Sequence, residues 1–369
     1  MFAGGKQDSI YQKLRSQLLS GFLLENEKLL VEKALALKLG IARDTLRAAL
    51  GELGNEKLIT RIKNCGTFAT LRPPDKTCRR IMVFHESSGS KALPGHYLVP
   101  GIAGQARTFG FKVEYCDIAY LYTLDANAIR ALIAKLEIDR VIFVGANFLG
   151  HEKVIGALTL PALPVLLPFA SEHDHEVTGW ATFCFREKLE WRRSLEFLRA
   201  RGHRNVAVVT LDTPSRNIRG HTPEEYFALL EELGLNPSPE LVNYIGFSGF
   251  TEKPPQEIDA VIHKIRGAGA TALLCHSGFI AAQASQAIKA FGLRVPDDVS
   301  LMGFCSGLNP FLLEPALSSI DIDFEMLGRR AVNVLAHAEH WFQPGSRRQN
   351  LLLDIESTEN VFGSVKTLL

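Results

Sequence analysis

Glu172-His173-Asp174-His175-Glu176 is the stretch whose side chains could most readily do chemistry, because imidazole and carboxylate groups ligate zinc and related ions. Adjacent residues rarely converge on one ion, so the stretch reads as a polar surface loop. The cysteines (Cys65, Cys78, Cys116, Cys184, Cys275, Cys305) are scattered without a C-x-x-C pair. That pattern fits reduced thiols better than a disulfide framework or a zinc site. Gly246-Phe247-Ser248-Gly249 lacks the G-x-S-x-G spacing of a nucleophile elbow, and no G-x-x-x-x-G-K-[ST] phosphate loop occurs. No catalytic constellation, metal or cofactor is expected.

Charge points elsewhere. Residues 1–80 hold 15 Lys/Arg against 8 Asp/Glu, leaving 26 against 32 for the rest, so a basic head precedes an acidic body. Such a head suits a polyanion. At 369 residues and 46% hydrophobic content the chain should form more than one core. No leader-like N-terminus and no run of 18 apolar residues is present, so a cytoplasmic protein without membrane contact is expected.

The elements of the head follow from apolar spacing. Ile10, Leu14 and Leu18 mark a first amphipathic helix closed by Gly21. Ala34, Leu35 and Leu39 mark a second, over about 31–39, and Leu46, Leu50 and Leu53 a third that opens at Ala42. Only Gly40-Ile41-Ala42 separates the last two, which is the spacing of a helix-turn-helix unit whose second helix can enter the major groove. Leu58-Ile59-Thr60-Arg61-Ile62 and Thr67-Phe68-Ala69, around Lys63-Asn64-Cys65-Gly66, read as the two strands of a wing.

On these residues the stretch from Tyr11 to Ala69 resembles the GntR-type winged helix, through 40–50 in the turn and recognition helix, then Leu53, Leu58-Ile59 and Gly66-Thr67-Phe68. The resemblance implies that Arg43, Asp44, Thr45 and Arg47 face DNA, with Lys33 from the preceding helix and Arg61, Lys63 and Gly66 from the wing. Arginine at the start of a recognition helix can reach guanine O6/N7 or clamp a phosphate, and Asp44 can accept from cytosine N4 or simply favour a helix first turn. Leu30-Val31 stands where the family usually has Pro-Ser, and Ala42 where it has Ser, so two helix N-caps are missing, each worth about 1 kcal/mol. Asn64 replaces a common wing glycine.

Leu71-Arg72-Pro73-Pro74-Asp75-Lys76-Thr77 is a polar, proline-bearing linker. Beyond it, apolar runs at 81–84, 111–115, 141–144, 165–167, 206–209, 272–274 and 299–302 alternate with helical stretches, which predicts parallel sheets covered by helices in two lobes. Three segments (199–209, 290–304, and 317–323 with 327–331) resemble the sensor domain of the lac and gal repressor family, a periplasmic-binding-protein-like fold. The expected organisation is a winged helix-turn-helix at 1–70, a linker at 71–78, a two-lobed α/β sensor at 79–361 and a tail at 362–369. Three crossovers between the lobes are placed near Thr182 to Arg186, Gly307 to Leu317 and Ile320 to Asp323.

In such a body the ligand lies between lobes at the carboxyl ends of strands. The candidates are Glu86, Ser87, His96, Tyr97, Asn147, Phe169, Arg219, His276 and Cys305. The family's aspartates at the positions of Gly278 and Cys305 are absent, and Arg186-Glu187 replaces its Asp-Asn pair, so the frame is that of a sugar sensor while the pocket is less suited to an ordinary neutral sugar; a sugar derivative, a ligand of aromatic or anionic character, and a pocket that has lost its ligand all stay open. The reading is a ligand-controlled DNA-binding repressor or activator, a homodimer on an inverted-repeat operator. A binding module without DNA reading, or a sugar- or nucleotide-acting enzyme, are the alternatives.

Overall fold

The computed structural model describes residues 3–71, 80–86, 94–145, 148, 150–212, 220–246, 256–304, 309–346 and 348–368. The head consists of α1 (Ala3–Leu19), α2 (Glu32–Leu39) and α3 (Arg43–Asn55), followed by β1 (Ile59–Ile62) and β2 (Gly66–Ala69). Leu14 and Leu18 of α1, Leu35 of α2, and Leu46, Leu50 and Leu53 of α3 share one core. Burial of each such side chain supplies about 1.5–3 kcal/mol, enough to offset the weak helix starts. Those starts are as the sequence implies: neither Val31 nor Ala42 makes a side-chain cap. The wing is antiparallel, pairing Ile59 with Ala69 and Ile62 with Gly66. Asn64 takes a φ of 62°, a left-handed conformation that asparagine tolerates.

The first lobe is built from β3 (Arg80–His85), α4 (Pro94–Phe109), β4 (Lys112–Asp117), α5 (Ile118–Thr123), α6 (Ala126–Lys135), β5 (Arg140–Val144), α7 (Glu152–Leu158), β6 (Val165–Ala170), α8 (Glu172–Thr178) and β7 (Ala181–Cys184). The second holds α9 (Glu187–Ala200), β8 (Val206–Asp212), α10 (Pro223–Glu232), β9 (Val242–Gly246), α11 (Gln256–Gly267), β10 (Ala272–Cys275), α12 (Gly278–Ala290), β11 (Ser300–Phe304) and β12 (Ser318–Asp321). The chain then returns to the first lobe with α13 (Phe324–Ala336) and β13 (Leu352–Asp354), and ends in the second with β14 (Thr358–Asn360). Among the described residues each lobe has a six-stranded sheet, in the orders β13-β7-β6-β5-β3-β4 and β14-β12-β11-β10-β8-β9. All pairings are parallel except that of β14 with β12. Parallel strands buried on both faces explain the unbroken apolar runs.

Three expectations need correction. The crossovers lie at Phe185-Arg186, at Ile322-Asp323 and at residues 355–357; the segment Gly307 to Leu317 is not one. It joins β11 to its parallel neighbour β12 within a single sheet, and Leu317 is buried in the second lobe's core. The stretch 172–176 is not a loop but the first turns of α8, capped reciprocally by Ser171 and Asp174. His175 lies 2.7 Å from the Trp180 carbonyl and Glu172 pairs with Arg186, so its polar groups are already committed. Among the described residues no cluster of three or more His, Cys, Asp or Glu could hold a metal ion. None of their helices is long and apolar enough to cross a membrane. The final segment, set apart as a tail, is packed: Ser364 is buried, accepts from the Ser318 N–H and donates to the Leu301 carbonyl.

Helices α4 and α13 cross in near contact of backbones. A Cβ on Gly101 would fall 1.9 Å from the Glu325 carbonyl oxygen, and one on Gly328 would fall 2.2 Å from that of Leu98. Only glycine at both positions allows this approach, which makes the two helices one unit of the first lobe.

Candidate nucleic-acid interface and ligand cleft

Arg43, Asp44 and Arg47 are exposed on the first turns of α3, with Thr45 half-buried between them. Arg61 and Lys63 project from the wing, and Lys33 from α2; all three are exposed. Gly66 has a φ of 135°, a conformation that strains any other residue, and a Cβ there would lie 2.7 Å from Lys28 Cε, the movable end of a side chain. The head carries these candidates at its surface, with Thr45 and Gly66 only partly exposed.

A residue the sequence reading passed over organises them. Glu32, in the first turn of α2, accepts from Arg47 Nε at 2.8 Å, and Arg43 and Arg61 stand 3.9 and 3.8 Å from the same carboxylate. The hydrogen bond from Arg47, with the charges of all three arginines, holds the Glu32 carboxyl below its ordinary range. One carboxylate thus holds the arginines of the recognition helix and the wing in a single cluster. Asp44 is nearly fully exposed and 3.5 Å from Arg47, leaving its other oxygen open to a donor.

Between the lobes lies a cavity of about 500 Å³. His96, Tyr97 and Pro100 of α4 and Phe324 and Glu325 of α13 form one wall; among the described residues Asn309, Thr358, Asn360 and the crossover residues Asp321, Ile322 and Asp323 also line it. Tyr97 stacks on Phe324 with ring centroids 6.1 Å apart. The Asp321 carboxylate accepts from Ser319 Oγ and Asn360 Nδ2, and Asp323 caps α13 by accepting from the Met326 N–H. These bonds orient acceptor oxygens beside an aromatic surface, an arrangement that can bind hydroxyl groups and stack the apolar face of a ring.

Aromatic contacts continue from this wall into the second lobe. Phe324 meets Phe169, Phe169 meets Phe185 of the first crossover, and Phe185 meets Phe304 at the end of β11. Phe304 packs on Trp191, which in turn packs on Tyr226 and His276. His276, at the end of β10, has Nε2 3.5 Å from Glu187 Oε1, while its buried Nδ1, like that of His221, has no hydrogen-bond partner among the described residues. Buried unpaired polar atoms are suited to a ligand or an ordered water, and His276 stands at the carboxyl end of a strand.

Burial first, then the charge of Lys188, lowers the His221 pKa to about 4. The unfolded chain protonates this imidazole near 6.5, whereas the folded one stays neutral to about 4. Stability is therefore complete above pH 6.5 and falls with pH through that window, by roughly 3 kcal/mol for this residue. Buried His203 is lowered too and adds in the same direction. Denaturant midpoints measured from pH 7 to pH 4 should fall, and a His221→Phe variant should show a shallower fall; an equal slope would mean that His221 is not buried neutral.

Of the ligand candidates, the structure brings His96 and Tyr97 to the cavity. Phe169 supports its wall from behind, and His276 stands in the second lobe's group. Glu86 follows β3, where desolvation and the Asp117 carboxylate raise its pKa, but it does not line the cavity. Ser87, Asn147, Arg219 and Cys305 lie outside the described residues. Asp321 and Asp323 were missed although the first ends a strand and the second follows it at an expected crossover, a signal that could have found them. Asn360 gave none, because β14 is only Thr358-Glu359-Asn360.

Comparison with known proteins agrees with this geometry. Residues 6–69 match the model for bacterial regulatory proteins of the gntR family, and residues 195–351 match the periplasmic binding protein-like domain. The chain is thus a DNA-binding transcriptional regulator under ligand control, a GntR-family helix-turn-helix joined to a periplasmic-binding-protein-like body. It is similar to arabinose metabolism transcriptional repressors: that of Halalkalibacterium halodurans is 19% identical, over 85% of this chain and 84% of the relative, and that of Geobacillus stearothermophilus 22%, over 79% and 80%. In fold it is similar to a LacI family transcriptional regulator from Silicibacter pomeroyi, with a TM-score of 0.60 at 16% identity, covering 78% of this chain and 100% of that one. The transcriptional regulator CelR in complex with cellobiose superposes at 0.58 and 18% identity, over 87% and 90%.

Proposed function

We propose that this regulator is a repressor without enzymatic activity, that it acts as a homodimer whose paired heads read an inverted-repeat operator, and that a neutral sugar-like effector in the interlobe cavity controls that reading. The observation that carries the effector class is the cavity wall itself: carboxylate and amide groups of Asp321, Asp323, Asn309 and Asn360 stand beside the Tyr97–Phe324 stack. Carboxylates disfavour an anion, and the aromatic pair favours a ring with an apolar face. The names of the arabinose repressors and of the cellobiose complex support the same class. Arg43 and Arg47 read bases, while Lys33, Arg61 and Lys63 hold phosphates and Gly66 lets the wing approach. A cytoplasmic location follows from that role.

The test is calorimetric titration of the protein with L-arabinose, D-ribose and cellobiose, each followed by titration of the operator complex. A sugar that binds the parent, fails to bind Asp321→Ala and shifts operator affinity supports the proposal. Binding of none of a broad set of neutral sugars, with binding of an anionic metabolite, would overturn it.

Glu32 enters as the residue that presents the arginines. Glu32→Gln should tighten binding to random duplex DNA, because a negative charge leaves the interface, yet lower the ratio of operator to random affinity by about 1 kcal/mol as Arg43 and Arg47 lose their common anchor. Competition binding on both duplexes reads the two effects; a tightened random affinity with an unchanged ratio would reduce Glu32 to simple charge.

A further inference from the structure

The head is not merely tethered to the sensor. The turn after α1 enters the first lobe: Phe22 is buried in that lobe's core, its ring 5.1 Å from that of Phe183 in β7. Helix α13 grips this turn from the other side. Arg330 lies over the Phe22 ring at 4.7 Å and donates to Glu27 of the head at 2.6 Å. Buried Asn333 donates to the Gly21 carbonyl at 2.5 Å. Gly21 has a φ of 77°, and a Cβ there would meet His337 at 2.6 Å, so the fit excludes a side chain. A second contact joins Lys38, at the end of α2, to Glu356 in the third crossover.

The same helix begins at the cavity. Phe324 and Glu325 in its first turn line the wall, and Asp323 caps it, whereas Asn333 lies nine residues further on, about 14 Å along the axis. We propose that α13, locked to α4 by the Gly101–Gly328 crossing, is a lever with the effector cavity at one end and the DNA-binding head at the other. Occupancy of the cavity then moves the head as part of the first lobe, and the Lys38–Glu356 contact sets the head against the hinge between lobes. The segment between head and sensor at 71–78 is not required to carry the signal. This rests on the regulator reading above, and it deepens that reading by naming the route of control.

Coupling of this kind is reciprocal, so operator DNA can serve as the probe and the effector need not be known. Hydrogen–deuterium exchange would be measured on the full chain, free and saturated with the duplex it retains from genomic DNA, for the parent and for Asn333→Ala. In the parent, DNA should change the exchange of amides at 323–327 by about fivefold or more as well as protecting α3. In Asn333→Ala, protection of α3 and affinity for the duplex should persist while the change at 323–327 disappears. If Asn333→Ala exchanges globally, Glu27→Gln, which removes the Arg330 contact at the edge of the same joint, replaces it with the same expectation. DNA protecting α3 without altering 323–327 in the parent, or a variant that keeps the full distant change, would overturn the lever and leave the regulator intact. Failure of the parent to bind any duplex would overturn the regulator reading itself.

Discussion

Arg43→Ala should weaken binding to the operator by about 1–3 kcal/mol, or roughly 5- to 150-fold, while affinity for random duplex changes far less. Arg43 stands at the start of α3, exposed and 3.9 Å from Glu32, close enough to be held in place yet free to point outward. A guanidinium presented in this way can make two parallel hydrogen bonds to guanine, so its loss should be felt at a particular base pair. Lys63→Ala is the contrasting case, since an exposed wing-tip ammonium acts on phosphate as a point charge. Its loss should weaken all sequences alike and flatten the salt dependence by roughly one unit. Measured on operator and random duplexes across a salt series, equal effects for both variants would mean that Arg43 touches only the backbone.

The second large effect concerns the body. Gly328→Ala should destabilise the protein by about 3 kcal/mol and lower its unfolding midpoint by roughly 6–12 °C. The added Cβ would lie 2.2 Å from the Leu98 carbonyl oxygen, and because that neighbour is backbone, α4 and α13 must part. The parting would also displace Tyr97 from Phe324 and so deform the cavity wall. Gly104→Ala is the internal control: it lies on α4, but nothing stands within 4 Å of its Cβ position, so it should be neutral or stabilise by up to about 1 kcal/mol. Thermal unfolding of the three proteins distinguishes a close helix crossing from a general intolerance of substitution in α4; equal midpoints for all would contradict the crossing.

The head was legible because its signals are local. Leucine spacing at 46, 50 and 53 and a three-residue turn after Leu39 define the helices without reference to the rest of the chain, and the uncapped starts at Val31 and Ala42 could be read from side-chain chemistry alone. The parallel sheets were legible for a related reason, since strands buried on both faces leave runs such as Val206-Ala207-Val208-Val209. What escaped the sequence depends on partners far away in it. Glu32 looks like an ordinary acidic residue in a first turn until Arg47 and Arg61 arrive from other elements. The third crossover was displaced because β13 and β14 are three residues each, held by pairing with β7 and β12 and not by any apolar run of their own. Phe22 could not be assigned to the first lobe's core, as its contacts with Phe183 and Arg330 span some 160 and 308 positions.

Function at the level of class followed from two matched domains, whereas the effector depends on side chains that converge only in three dimensions. His96 and Tyr97 were reached by their place near the first helix after a strand. Asp321 and Asp323 were not, because their place in the cavity depends on the crossover that brings them against α4 and Asn360.

The most direct test of the account is selection of genomic DNA fragments by the purified full-length protein at near-physiological salt, followed by sequencing of the retained fragments. The account predicts enrichment of an inverted repeat whose half-sites lie about one helical turn apart or a multiple of it, lost in Arg43→Ala. Retention without any common sequence, by a folded protein with its arginines intact, would contradict it.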